Sequence, residues 1–169
     1  MNVSQRIIVG LSLTRPWEFA FAHGKRVENR SWRPAGKYRG CYIALHSAKS
    51  WSDDDREFIS KTLNMPVPDK ASCPHSQIFA VARWMGEIIL PEPEHVRLLG
   101  LDTRDLEGPG IPLLPDQERW FIGPYGWLLR DYIKLPEPIL CGGAQKLWEV
   151  PADVLIRVRE QYRAAKMVA

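Results

Sequence analysis

Hydrophobic and polar positions alternate with two different periods along the chain, and the changes of period divide it into strands and helices. The segments with a strand pattern are residues 6–13, 24–32, 38–48, 76–90, 118–123 and 126–135. Helix start signals and apolar residues at helical spacing predict helices over residues 17–23, 51–63 and 151–166. Several short strands without an internal repeat, with a few helices around them, predict an α+β fold built as a small mixed β-barrel.

Residues 91–118 interrupt this pattern. They are rich in proline and glycine and predict an irregular excursion with about one helical turn. The 169 residues of the chain suffice for one well-packed unit. We therefore expect a single domain over residues 1–169, with this excursion and a C-terminal helix at about 151–166.

Composition narrows the class of protein. With 45% hydrophobic and 25% charged residues, the chain resembles globular proteins rather than disordered ones. No apolar run is long enough to cross a membrane and the N-terminus lacks the features of a secretory signal, so we expect a cytoplasmic protein without a membrane partner. The three cysteines form no CxxC pair, which argues against a disulfide framework and a zinc site. A net charge of +3 requires any nucleic-acid site to be a local patch.

The most unusual segment is residues 24–32, GKRVENRSW, in which charged residues surround a single valine. On a strand, alternate residues lie on opposite faces, which would separate Lys25 from Glu28 and Arg30. One interpretation is a structural set of ion pairs at the mouth of the barrel. The other is a ligand site in which Lys25 and Arg30 bind a phosphate or a base edge and Glu28 orders them or acts as a general base. We favour Lys25 as ligand-facing and Glu28 as partly structural.

A second polar segment, HSAKSW, follows the third predicted strand at residues 46–51. Basic, hydroxyl and aromatic side chains at a strand end suit a phosphate with a stacked base. The alternative is a polar turn that caps the next helix through Ser50 or Ser52. His46 is the strongest candidate for a general acid or base, although no partner at a fixed spacing marks it as catalytic.

Glycine and tryptophan positions add weaker candidates. The loop CGGAQKLW, residues 141–148, lets the backbone approach a ligand closely beside Gln145, but Gly-Gly is also common in tight turns. Trp17 is expected at a rim, where it can stack on a base, and Trp32 in the core. The three aspartates at 53–55 are better explained by the positive end of a helix than by a metal ion.

Residues 11–51, LSLTRPWEFAFAHGKRVENRSWRPAGKYRGCYIALHSAKSW, resemble the opening of ASCH domains. The shared features are a Pro-Trp pair that begins a helix, then Lys-x-x-Glu-x-Arg-Ser-Trp, then Arg-Gly before a strand that ends near His and Lys. The segments FAVARWMGEIIL and GPYGWLLRDYIKLPEPILCGGAQKLWEVP are similar to later parts of the longer bacterial and phage members. The resemblance spans about residues 8–151.

This resemblance implies a PUA-like β-barrel, a fold shared with readers of modified bases. Similar members bind RNA or DNA, some are ribonucleases, and one small subgroup removes an acetyl group from acetylcytidine. In that subgroup a threonine lies three residues after the motif lysine. Here the lysine is Lys25 and the threonine position is occupied by Glu28, so the chain departs from that subgroup.

Our leading hypothesis is a nucleic-acid-binding domain for RNA or a single strand, which uses a basic cleft with aromatic stacking and needs no cofactor or metal. One alternative is a ribonuclease or nucleoside amidohydrolase that uses Lys25 and Glu28, and another is a reader of a modified base in an aromatic cage. The catalytic candidates are Lys25, Glu28 and His46. The candidates for nucleic-acid binding are Trp17, Lys25, Arg30, Arg39, Ser47, Lys49, Trp51 and Gln145.

Overall fold

The computed structural model describes residues 7–33, 35–89, 97–99 and 115–168. Its strands are β1 Ile8–Arg15, β2 Val27–Arg30, β3 Tyr42–Trp51, β4 Gln77–Ile89, β5 Arg97–Leu99, β6 Tyr125–Leu140 and β7 Leu147–Glu149. Its helices are α1 Trp17–Ala22, α2 Asp53–Leu63, α3 Pro115–Glu118 and α4 Ala152–Val168, with a short 3₁₀ turn at Gly36–Tyr38. Strands and helices together confirm the predicted α+β class.

The strands form one mixed sheet in the order β2-β6-β4-β3-β1-β7, and β5 pairs with the end of β4. β1 and β3 run parallel, whereas the other paired strands are antiparallel. Among the described strands the two ends of this order, β2 and β7, do not pair, so closure into the predicted barrel is not confirmed. The sheet is nevertheless strongly curved, because Arg30 on β2 donates a hydrogen bond to the Ser12 carbonyl on β1 over 3.0 Å.

Both faces of the central strands are buried. In β3, Tyr42 and Ala44 face one cluster, which α4 covers through Val158 and Tyr162. Ile43 and the alternate residues that follow it face a second cluster on the other side of the sheet, together with the inner side of α1. A strand that is covered on both faces has a nearly continuous apolar sequence, as β3 and β4 have.

The helices with strong sequence signals are confirmed. α2 begins after Ser52, whose side chain accepts a hydrogen bond from the Asp55 amide, and it ends at Asn64 in the left-handed conformation. α4 buries Val154, Val158 and Tyr162, which have the predicted helical spacing. α1 begins at Trp17, as predicted, and ends at Ala22, one residue before the predicted end. Its N-cap position falls on Pro16, which makes no side-chain cap hydrogen bond.

The N-cap of α2 gives a stability prediction. Ser52→Ala removes the acceptor that lies 3.0 Å from the Asp55 amide, so we expect a loss of about 0.5–2 kcal/mol in the free energy of unfolding. Urea unfolding followed by circular dichroism measures this loss. Ser31→Ala is the control, since that serine is exposed and its side chain makes no hydrogen bond to the described residues. Equal stability of the two variants would contradict the prediction.

The predicted strand over residues 118–123 is wrong. Instead α3 is followed by a turn in which the Trp120 amide bonds to the Gln117 carbonyl. The Asn29 side chain replaces a partner strand here, because its amide group donates to the Trp120 carbonyl over 2.7 Å and its oxygen accepts from the Ile122 amide over 3.0 Å. Trp120 itself is fully buried.

Several strands differ in extent from the prediction; β2 is shorter than residues 24–32, and β3 ends at Trp51 rather than at residue 48. β6 continues through Leu140, beyond the expected end at residue 135. β7 was not predicted at all, since its three residues follow the glycine-rich loop and gain their partners from β1, far away in sequence. Most of the predicted excursion over 91–118 lies outside the described residues, apart from β5 and α3. Within the described ranges, no helix is long and apolar enough to cross a membrane.

Candidate functional site

A cavity of about 790 Å³ opens beside the parallel pair β1 and β3. Its walls come from the second half of β1, the end of β2 with the residues after it, the second half of β3 and the loop between β6 and β7. The lining residues are Ser12, Thr14, Arg30, Trp32, His46, Ala48, Lys49, Ser50, Ser76, Gly142, Gly143, Ala144, Gln145 and Lys146. The glycine-rich loop therefore forms a wall of the cavity.

The charge of this cavity is positive. Arg30, Lys49 and Lys146 line it, and no aspartate or glutamate of the described chain does. Several hydroxyl groups add donors and acceptors, and Trp32 supplies an aromatic surface. A concave wall with cations, hydroxyls and one large ring suits a ligand that combines an anionic group with a planar ring.

The guanidinium of Arg30 is fixed by contacts with Glu28 and with the backbone of β1. Its Nη2 lies 2.9 Å from Glu28 Oε1 and 3.0 Å from the Ser12 carbonyl oxygen, while its Nε has no partner among the described residues. The side chain is 21% exposed, so part of the guanidinium remains available to the cavity. Two fixed contacts on one side orient the group in advance, which reduces the entropy that it loses on binding an anion.

Lys25 is buried rather than ligand-facing. Its Nζ lies 2.7 Å from Glu28 Oε2, the residue is 1% exposed, and it does not line the cavity. The ammonium packs over the rings of Phe21 and Trp17, 4.3 and 4.9 Å from their centroids. Burial lowers the pKa of Lys25, and the Glu28 carboxylate opposes this effect. Lys25, Glu28 and Arg30 thus form a chain of ion pairs, of which only Arg30 reaches the cavity.

Local structure explains why Lys25 meets Glu28. β2 begins only at Val27, so strand alternation does not apply to Lys25, which lies in the turn after α1. Gly24 has a φ of 98°, a left-handed conformation that favours glycine, and the Lys25 amide bonds to the Ala20 carbonyl. Gln117 fixes the same turn by donating to the Gly24 carbonyl over 2.9 Å and accepting from the Arg26 amide over 2.7 Å.

A hydrogen-bond network links the floor of the cavity to its loop. Ser12 and His46 are partners in the β1–β3 pair, and Ser12 Oγ lies 3.2 Å from His46 Nδ1. His46 Nε2 lies 3.1 Å from the Cys141 carbonyl oxygen, and Trp148 Nε1 donates to Ser12 Oγ over 3.2 Å. Burial lowers the pKa of His46 below its ordinary value, and the hydrogen bond to the Cys141 carbonyl offsets only part of this effect. Sequence reasoning missed Ser12.

Gly143 lies directly above this network. A Cβ atom at this position would overlap Ser12 Oγ and the His46 ring. The loop can therefore approach the pair only because residue 143 is glycine. The Gly-Gly pair of this loop thus allows its backbone to lie close to the side chains of Ser12 and His46.

The two tryptophans predicted to stack on a base have other contacts. Trp17 Nε1 donates to Asp55 Oδ2 over 2.9 Å, and Trp51 Nε1 donates to Asp53 Oδ1 over 2.8 Å. Neither tryptophan lines the cavity. Asp53 and Asp55 thus accept hydrogen bonds at the start of α2. Among the described residues, no cluster of His, Cys, Asp and Glu could hold a metal ion.

The cavity collects four of the predicted site residues, namely Arg30, His46, Lys49 and Gln145. Ser47 is buried and its hydroxyl donates to the Gln77 carbonyl over 3.4 Å, so it does not face the cavity as expected. Arg39 is half-buried and lies outside the cavity.

Two further residues line the cavity although the sequence did not assign them to a site. Trp32, expected in the core, packs edge-on against Trp127 at 4.9 Å between ring centroids and also lines the cavity. Lys146 lines it without having been selected as a site residue, although its place beside Gln145 in a basic, glycine-rich loop was a usable signal.

No protein-family model matches the chain, and no curated protein matches it either. The resemblance to ASCH domains therefore stays a prediction from the sequence.

Proposed function

We propose that the chain is a PUA-like domain of the ASCH type that binds RNA or single-stranded nucleic acid in the cavity beside β1 and β3. The observation that carries this proposal is the set of three cations, Arg30, Lys49 and Lys146, around a cavity that no aspartate or glutamate of the described residues lines. Phosphate contacts from such cations supply most of the affinity of nucleic-acid binding.

The strand pairing and the curvature of the sheet also support the proposal. The sheet contains both parallel and antiparallel pairs and curves until Arg30 on β2 reaches the backbone of β1. This curvature is compatible with a partly closed barrel of the PUA-like kind. Because one fold hosts many functions, the proposal rests on the chemistry of the cavity rather than on this similarity.

The shape of the cavity favours an unpaired strand over a duplex. A concave site of about 790 Å³ takes a nucleotide whose base is turned out of a stack, whereas the bases of a regular duplex are not free to enter it. Trp32 lines the wall and can stack on such a base, while Gln145 offers an amide to the base edge. Lys49 and Lys146 are exposed and can contact the phosphates of the nucleic-acid backbone.

The direct test is the salt dependence of binding. Fluorescence anisotropy with labelled single-stranded RNA, single-stranded DNA and duplexes should show the highest affinity for a single strand, with a log-log salt slope that falls by about 0.7 for each phosphate contact removed. Lys49→Ala and Lys146→Ala should each weaken binding and reduce the slope. Lys166→Ala is the matched control, because it removes one exposed positive charge on α4, outside the cavity.

Two results would overturn the proposal. One is binding that does not weaken as salt rises. The other is an equal loss of affinity in Lys49→Ala and Lys166→Ala, which would indicate attraction by net charge alone. Tighter binding of RNA than of DNA in the same assay would show that the site recognises ribose rather than deoxyribose.

The alternative functions find less support. A hydrolase that uses Lys25 and Glu28 needs both groups to reach a substrate, yet Lys25 is buried and both residues lie outside the cavity lining. A reader of modified bases needs an aromatic cage, and in the described part of the chain Trp32 and His46 are the aromatic residues of this lining. Binding of an unmodified strand is therefore the function that the cavity supports best.

A further inference from the structure

We propose that Ser12 is a nucleophile activated by His46, and that the cavity hydrolyses carboxylic esters that carry an anionic group. This activity goes beyond nucleic-acid binding and does not depend on it. The proposal rests on the positions of four groups, namely the Ser12 hydroxyl, the His46 imidazole, the Cys141 carbonyl and the Trp148 indole.

The hydrogen bonds determine which nitrogen of His46 is the base. A carbonyl oxygen only accepts hydrogen bonds, so the nitrogen 3.1 Å from the Cys141 oxygen, Nε2, must carry a proton. In the neutral ring the other nitrogen, Nδ1, is then unprotonated, and its lone pair points to Ser12 Oγ at 3.2 Å. This is the tautomer that a general base for Ser12 requires.

Trp148 determines the direction of the hydroxyl proton. An indole N–H only donates, so at 3.2 Å Trp148 Nε1 occupies a lone pair of Ser12 Oγ and leaves its proton free. The nearest acceptor in the network is His46 Nδ1. A nucleophile, a base and a third group that orients the base are thus present in one network.

The surroundings favour a neutral base and an anionic substrate. Burial lowers the pKa of His46, so the imidazole is free to accept a proton near neutral pH. Ser12 and His46 both line the cavity that Lys49, Lys146 and Arg30 make positive. An ester with a carboxylate or phosphate at its far end would be held by these cations while its carbonyl group lies at Ser12.

The reaction proceeds in two steps. Ser12 Oγ attacks the ester carbonyl carbon as its proton passes to His46 Nδ1, and the tetrahedral adduct then expels the alcohol, which takes that proton. This leaves an acyl group on Ser12 and a neutral imidazole. Water then attacks the acyl carbon with His46 again accepting the proton, the bond to Oγ breaks, and the proton returns to Ser12 as the acid leaves.

A purely structural network would share this geometry, since the same hydrogen bonds join β1, β3, β7 and the loop. The test must therefore detect chemistry. Phenylmethanesulfonyl fluoride reports a nucleophilic serine directly, because Oγ forms a bond to sulfur, fluoride leaves and His46 takes the proton. We expect one adduct per chain in intact mass spectrometry and its location on Ser12 in peptide mapping.

Variants distinguish activation from accessibility. Ser12→Ala should abolish the adduct and His46→Gln should slow its formation at least about 100-fold, as expected for the loss of a general base. Ser31→Ala is the control, because Ser31 is an exposed serine that lies outside the cavity lining. Circular dichroism establishes that each variant is folded. Peptide mapping of the unaltered chain tests the proposal even if His46→Gln does not fold.

Turnover tests the substrate class. After the rate without protein is subtracted, the mono-4-nitrophenyl ester of adipate should be hydrolysed faster than 4-nitrophenyl acetate, and Lys49→Ala should remove this preference. No adduct on Ser12, an adduct that forms equally fast in His46→Gln, or hydrolysis equal to that of Ser12→Ala would overturn the proposal. Salt-dependent binding of RNA would survive such a failure, so the two proposals can fail separately.

Discussion

Glu28→Ala is expected to lower the free energy of unfolding by about 3–5 kcal/mol, because it leaves a buried charge without its partner. Lys25 Nζ loses its contact at 2.7 Å while the residue stays 1% exposed between the rings of Trp17 and Phe21. Arg30 loses a contact at 2.9 Å in the same step. Urea unfolding followed by tryptophan fluorescence measures the difference.

An exposed ion pair provides the control for this prediction. Glu57 and Lys61 on α2 approach to 2.6 Å, but their side chains are 67% and 75% exposed. Glu57→Ala should therefore lower the free energy of unfolding far less than Glu28→Ala does, because an exposed pair within one helix is screened by solvent. The double variant Lys25→Met with Glu28→Leu removes both charges and should recover much of the loss caused by Glu28→Ala. A similar small cost for Glu28→Ala and Glu57→Ala would contradict the structural role of the pair.

The elements that sequence could predict are those whose signals are local. α2 and α4 carry their capping and helical spacing within their own residues, and Ser52 acts as the cap that its position indicated. The segment 118–123 has a strand-like sequence, but its backbone groups bond to the side chain of Asn29, which lies 91 and 93 residues away along the chain. Local periodicity contains no information about such a partner.

The same distinction explains the candidate site. Arg30, His46 and Lys49 were predictable because polar residues near strand ends commonly face ligands, and the cavity contains them. Lys25 was misjudged because it lies before β2, where alternation does not apply. Ser12 was missed because it resembles an ordinary polar position in an apolar strand. Its partners, His46 and Trp148, are 34 and 136 residues away, and only the fold brings them together.

Gly10→Ala is expected to lower the free energy of unfolding by about 1–3 kcal/mol and to slow the reaction of Ser12 with phenylmethanesulfonyl fluoride. A Cβ atom on Gly10 would overlap the Trp148 ring, its partner across β1 and β7. Trp148 is 8% exposed in the cluster that α4 covers, so the indole has little room to move aside. Any displacement also disturbs the hydrogen bond from Nε1 to Ser12 Oγ.

Gly142→Ala separates this effect from the general cost of replacing a glycine. A Cβ atom on Gly142 would meet nothing within 4 Å, although the residue lies in the loop that lines the same cavity. We expect nearly unchanged stability and reactivity for this variant. If Gly10→Ala lowered stability but left the rate at Ser12 unchanged, Trp148 would be a packing residue alone, and the direction of the Ser12 proton would have to depend on His46 without help from the indole.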